Sequence, residues 1–250
     1  MPTADWLTAY QEDKELTLSP VDLNTYFEQE EIAGRRLTVI NIGPCDLPSG
    51  KVLVRDPLVE LGLRGEQPYF QTAPAGSYET ELCVILPEDT QRECARYAAA
   101  RLRFSDKRPV RFLLALFGDE DLSELTGEGD FFGFSVDAGM GCICDQIVHQ
   151  AFCDWSDRWD KEHPGENQYD DYFTSLFEES YKAHPEYQRE GGDWINFQVP
   201  GTQYHIPFFQ SGFGDGVYPV YWGVDEEDHI CQLVVHFIDI ALAYSDEDDQ

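Results

Sequence analysis

Positive charge is what this chain has least of. Seventeen Lys and Arg stand against 48 Asp and Glu in 250 residues, a formal charge of −31 with a pI near 4.2. A surface this negative repels phosphate, which argues against nucleic acid or an anionic membrane as a partner. No run approaches the roughly 18–20 consecutive apolar residues that a membrane span requires. Residues 1–10 carry Asp5 and no basic side chain, so no signal peptide is predicted there. The seven cysteines are odd in number and include no C-x-x-C pair, which excludes a dense secreted disulfide framework. A Gly-rich βαβ nucleotide fingerprint is also lacking.

What is present is apolar and aromatic: 42% hydrophobic residues, 14% Phe, Trp and Tyr. That is too much for a disordered chain and enough for a real core. The expectation is a soluble cytoplasmic protein with a single domain over 1–250, no cofactor, a helical lead-in over 1–35 and a flexible acidic tail at 245–250.

Ser19-Pro20-Val21-Asp22 has the form of a helix start, with Ser at the cap and Pro in the first turn, and predicts a helix ending before Gly34. Strand-like alternation follows at 36–42, 51–55, 78–86, 101–104, 110–117 and 131–136. The segment Ser105-Asp106-Lys107-Arg108-Pro109 reads as a hairpin loop. From Asp145 the period changes. Val148, Ala151, Phe152 and Trp155 share one helical face, and Tyr169, Tyr172, Phe173, Leu176 and Phe177 repeat that spacing beyond Pro164-Gly165. Strand periodicity returns at 194–199, 204–209, 218–224 and 230–240. The predicted class is α+β: mainly antiparallel sheet, sandwich-like or strongly bent, with two packed helices around 145–184. Gly76-Ser77-Tyr78 and Gly216-Val217-Tyr218 form a weak internal echo, each opening a predicted strand.

Several segments carry candidate chemistry. Asp137, Asp145 and Asp215 lie at Gly-rich turns or element ends, where functional groups are often mounted, and would suit a hydrolase with or without a divalent metal. Asp-Gly turns equally serve to reverse a strand. Cys142, Cys144, His149 and Cys153 offer sulfur and imidazole for zinc at a non-standard spacing; buried thiols beside a surface histidine are the alternative. Cys142 as a nucleophile would need His149, His205 or His236 nearby.

The segments Asp56-Pro57, ARLRFSD at 100–106, FFGFSVDAGMGC at 131–142 and GFGDGVYPVYWGVD at 212–225 together resemble the bacterial domain-of-unknown-function family numbered 4241, over about residues 40–240. The resemblance implies a shared fold. Members often lie near secreted-toxin loci, which implies an immunity-like role and assigns no active-site residues.

The charge is also uneven. Residues 1–125 hold 13 basic and 22 acidic side chains, and residues 126–250 hold 4 and 26. Cations gather at Arg92, Arg96, Arg101, Arg103, Lys107, Arg108 and Arg111; acids gather at 154–190, at Asp225-Glu226-Glu227-Asp228, and in the tail. A solvated acidic surface is one reading. The other is a face for a basic protein partner, a toxin domain, steered by those acids and anchored by Trp155, Tyr172 or Trp222.

Overall fold

The computed structural model describes residues 2–88, 94–127 and 129–245. Arg92 of the cationic group and the acidic tail from Asp246 onward lie outside the described residues.

The N-terminal lead-in holds two helices. In α1 (Ala4–Glu12), which lies within the predicted helical lead-in, Thr3 Oγ1 accepts from Trp6 N at 3.1 Å. The helix predicted from Ser19 forms only as α2 (Thr25–Glu28). Ser19 Oγ instead closes a local turn with Val21, and Asp22 Oδ1 accepts from Asn24 N, so these polar side chains hold a turn ahead of the helix.

The strands follow as β1 (Glu31–Ile32), β2 (Arg35–Leu47), β3 (Val52–Arg55), β4 (Gly76–Ile85), β5 (Arg96–Arg103), β6 (Arg111–Leu114), β7 (Gly133–Val136) and β8 (Met140–Asp145). The helices α3 (Gln146–Glu162) and α4 (Thr174–Ala183) come next, joined through a π-helical turn at Gln168–Phe173. The chain closes with β9 (Trp194–Gln198), β10 (His205–Gln210), β11 (Gly216–Val224), β12 (Ile230–His236) and α5 (Ile240–Tyr244).

All strand pairs among the described residues are antiparallel, and the fold is α+β as predicted. The large sheet runs β1-β2-β4-β5-β12-β11-β6, with β7 on the first half of β11, and it curls strongly into a half-barrel. The small sheet runs β3-β8-β10-β9. The expected hairpin between 101–104 and 110–117 does not form: β5 pairs with β4 and β12, while β6 pairs with β11. The connecting loop spans two intervening strands, so adjacency in sequence is not adjacency in the sheet.

The small sheet is buried on both faces. Ile143 and Phe209 face the large sheet, while Cys142, Cys144, Ile206 and Phe208 face α3 and α4. The result is three layers: curled sheet, small sheet, helices. The two helices predicted at 145–184 form the outer layer, with Phe152, Trp155, Phe173 and Phe177 packed inward. β2 reaches the small sheet through a bulge between Asn41 and Pro44; beyond it, Asn196 Nδ2 donates to Pro44 O at 2.8 Å.

The internal echo has a physical basis. Tyr78 Oη donates to Pro74 O at 2.9 Å and Tyr218 Oη to Gly214 O at 2.7 Å, so each ring folds back across its own strand start. A Cβ on Gly76 would stand 2.7 Å from the Tyr78 hydroxyl, and one on Gly216 would stand 3.4 Å from the Tyr218 ring.

Candidate functional site: a two-arginine cleft beside an acidic helical layer

Asp56 ends the segment after β3 and is fully buried. A buried carboxylate needs donors. Asp56 Oδ2 accepts from the backbone N–H of Asp137 at 2.9 Å and of Ala138 at 2.7 Å, and Oδ1 accepts from Leu58 N at 2.9 Å. The Asp-Pro motif therefore clamps the Gly-rich turn after β7. That turn is tied in its own right to the turn before β11. Ser211 N donates to Gly139 O at 3.0 Å, and Ser211 Oγ donates to Gly214 O at 2.7 Å. Three of the four motif segments thus meet at one place.

Beside them opens a cleft of about 480 Å³, walled by the turns at 138–140 and 213–215 on one side and by Tyr169, Thr174 and Phe177 of the helical layer on the other. Arg96, from the start of β5, and Arg189, from the loop after α4, both line it. Arg189 is held by the buried Asp193, through Nε to Oδ1 at 2.7 Å and Nη2 to Oδ1 at 2.6 Å. Gln210, its amide turned so that the oxygen faces the guanidinium, accepts from Nη2 at 2.5 Å. The loop can lie this close to α4 because residue 192 is glycine: its φ is +85°, and a Cβ there would stand 2.2 Å from Phe177 O.

The three aspartates singled out from the sequence divide. Asp215 is exposed and lines the cleft, and Asp137 is exposed on the neighbouring turn. Asp145 stands at the far end of β8 and is fully buried. Its Oδ1 accepts from Ile147 N at 2.8 Å as the cap of α3, and its Oδ2 accepts from Ser49 N at 2.9 Å, so it is a structural cap and not a partner of the other two.

The cysteine and histidine candidates are core groups. Cys142, Cys144, His149 and Cys153 are all buried, and the only close pair is Cys153 Sγ with His149 Nε2 at 3.4 Å. Burial pushes the Cys142 and Cys144 thiols well above their ordinary range and raises Cys153, while it lowers His149, so thiolate ligands and an imidazolium are both disfavoured. None of the three histidines serves Cys142. His149 bonds Leu63 O at 3.1 Å, His205 pairs with Asp46 at 3.1 Å, and His236 sits against Tyr26.

Among the described residues, the one set of three ligating side chains with donor atoms within 4.8 Å is Asp225, Glu227 and His229. A cation already stands there: Lys107 Nζ lies 2.9 Å from Asp225 Oδ2 and 2.6 Å from Glu227 Oε2. Asp225 Oδ1 also accepts from the backbone N–H of Glu227 and His229, and Lys107, with these donors behind it, holds its carboxyl down at about 2. Asp228 pairs with Arg111. Of the acidic run at 225–228, only Glu226 has no basic partner among the described residues. The β5–β6 connection neutralises this loop within the molecule.

Two of the proposed aromatic anchors are also internal. Trp222 is 1% exposed and Trp155 is 6% exposed, each packed among core rings, which removes them from any surface offered to a partner. Tyr172 is half-buried beside a groove along α4 and β9. By contrast, the helical layer keeps its charge outward. Arg64 binds Asp154 at 2.8 Å and Asp157 at 2.5 Å, and Lys182 binds Glu178 at 3.4 Å. Asp160, Glu162, Glu166, Asp170, Asp171 and Glu179 are exposed with no basic partner in ion-pair range among the described residues. Sequence reasoning missed Arg189, Gln210, Phe213 and Tyr169 as cleft residues.

No helix among the described residues is long and apolar enough to cross a membrane. A family model described as "Protein of unknown function (DUF4241)" matches residues 45–235. No curated protein and no solved structure matches the chain.

Proposed function

This chain belongs to the DUF4241 family, and from that premise we propose that it is a non-catalytic binding protein that neutralises a basic protein partner, a toxin domain, in the cytoplasm. The partner docks on the outward face of α3, the π-helical turn and α4. The observation that carries the reading is the unpaired acidic layer, six exposed carboxylates from Asp160 to Glu179 on one side of the molecule. Exposed like charges repel one another unless a partner neutralises them, and their field raises the encounter rate with a basic surface. The loop at 225–228 is secondary, since Lys107 and Arg111 already neutralise most of it. Tyr172 at the half-buried groove is the one anchor of the original three that a partner can reach. Seven free cysteines suit a reducing compartment.

The test is rescue and kinetics together. The C-terminal domain of the adjoining gene's product is expressed alone and with this protein in a heterologous bacterium, and the pair is co-purified. Growth arrest relieved by this protein, with a complex stable on a sizing column, is the expected result. Reversing Glu162, Glu166, Asp170 and Asp171 to Lys should slow association by about 10-fold or more at low salt and flatten its salt dependence. The same reversal at 225–228 should change it far less. Failure of both rescue and co-purification removes the reading.

The hydrolase alternative keeps only Asp137 and Asp215 near the cleft, because Asp145 is committed to the α3 cap. It requires a hydrolytic or metal-binding activity that Asp137→Asn abolishes with the fold intact.

A further inference from the structure

The cleft between the two Gly-rich turns and the helical layer has features that the acidic face does not use. Arg189 is oriented from behind: Asp193 and Gln210 hold the guanidinium while the side chain stays 49% exposed. Arg96 has no carboxylate in ion-pair range among the described residues. Its nearest polar contact is Nη1 to Gly212 O at 3.3 Å, and its guanidinium lies 5.6 Å from the Phe213 ring centre. Of the guanidinium's five N–H groups, that contact engages one. The same cleft exposes two large rings, Phe213 at 58% and Tyr169 at 47%, in a protein that buries most of its aromatic residues.

We infer that this cleft binds a small organic anion, with its oxyanion group on Arg96 and Arg189 and its planar apolar body against Phe213 and Tyr169. Guanidinium groups match carboxylate and phosphate oxygens in pairs, and aromatic rings supply the apolar contact that a bare ion lacks. The volume of about 480 Å³ suits a ligand of this size. The charge of −31 does not forbid it, because beyond about 8 Å at physiological salt exposed charges are largely screened and the local groups decide. Locally, Asp193 stands behind Arg189 and Asp215 stands on the rim. Two arginines against Asp193, Asp215 and the neighbouring Asp137 favour a ligand of low charge over a polyanion. Phosphate monoesters and carboxylates share the chemistry, and the titration separates them.

Calorimetry on the full chain, with phenyl phosphate, benzoate and acetate as probes, tests the inference. Saturable binding of phenyl phosphate or benzoate is expected, with acetate at least about 10-fold weaker for want of ring contacts. The tighter of the two aromatic probes identifies the oxyanion. Arg96→Gln should weaken that probe by about 10-fold or more with the unliganded melting temperature unchanged, since the loss is one of charge-assisted bonds to the ligand. Asp215→Asn should tighten it by about 3-fold through removal of a repulsive rim charge. Arg189→Gln would strand the buried Asp193, so Arg189→Lys is the second variant, keeping the charge and losing the paired geometry. Absence of saturable binding by every probe overturns the inference, as does equal affinity in Arg96→Gln.

Discussion

At the residue scale, the carboxylate that matters most to the cleft is Asp56. Two of its three backbone donors, Asp137 N and Ala138 N, belong to the turn that also carries Gly139, the third is Leu58 N, and the carboxylate is fully buried. Asp56→Ala strands those N–H groups and should cost about 2–4 kcal/mol in a urea unfolding series. Asp137→Asn, at an exposed side chain, should change stability by less than about 0.5 kcal/mol. If the two changes proved equal, the clamp would not be what holds the turn. Asp56-Pro57 stands out in the sequence as a segment, yet the role of its carboxylate does not, because the two donors from the turn lie 81 and 82 residues further along the chain. The same holds for Arg96 and Arg189. Neither has a local signal, and only the packing of the 189–192 loop against α4 brings the second arginine to the first.

At the scale of elements, one buried junction ties the N-terminal lead-in to the end of the large sheet. Tyr26 of α2 donates to Ile238 O at 3.1 Å and accepts from Ile240 N at 3.2 Å, and its hydroxyl lies 3.0 Å from His236 Nε2 at the end of β12. Burial lowers His236 to about 4 from an ordinary 6.5. The unfolded chain therefore takes up this proton at a higher pH than the folded chain. The stability His236 confers is present above about 6.5 and is lost as pH falls through about 4, a total of about 3 kcal/mol. In urea titrations at pH 7, 5.5 and 4.5, wild type should lose more stability than His236→Gln over that window; parallel losses would exclude His236 as the source. Elements were legible in sequence where one face is wet, as in β2, whose alternation shows plainly. Where both faces are dry, β3 and β10 still read as short apolar runs, but β8 did not. β8 reads Met-Gly-Cys-Ile-Cys-Asp and is buried throughout, so it has no alternation to show and merges with the turn before it. The run at 230–240 reads as one strand but divides at the junction, with β12 ending at His236 and α5 beginning at Ile240.

At the scale of the whole molecule, the charge surplus acts on stability as well as on partners. Exposed ion pairs at Arg64, Lys107, Arg108 and Arg111 contribute little, and salt weakens them. Against them stand 48 acids with only 17 bases, so the acids outnumber the bases nearly three to one. Salt weakens the repulsion among the acids too, and the imbalance decides the sign: added salt should stabilise the fold. The Debye length falls from about 30 Å at 0.01 M to about 10 Å at 0.1 M, so the longer-range part of that repulsion is screened between the two. A gain of about 1 kcal/mol corresponds to a rise of about 2–4 °C in melting temperature for a chain of this size. Sodium chloride at the two concentrations gives the reading directly. A melting temperature that falls would mean that the ion pairs of the β5–β6 connection and Arg64 outweigh the surplus. The reversal variant at Glu162, Glu166, Asp170 and Asp171 separates the sources, since it should melt higher than wild type at low salt and respond less to added salt if the helical layer is where the repulsion resides.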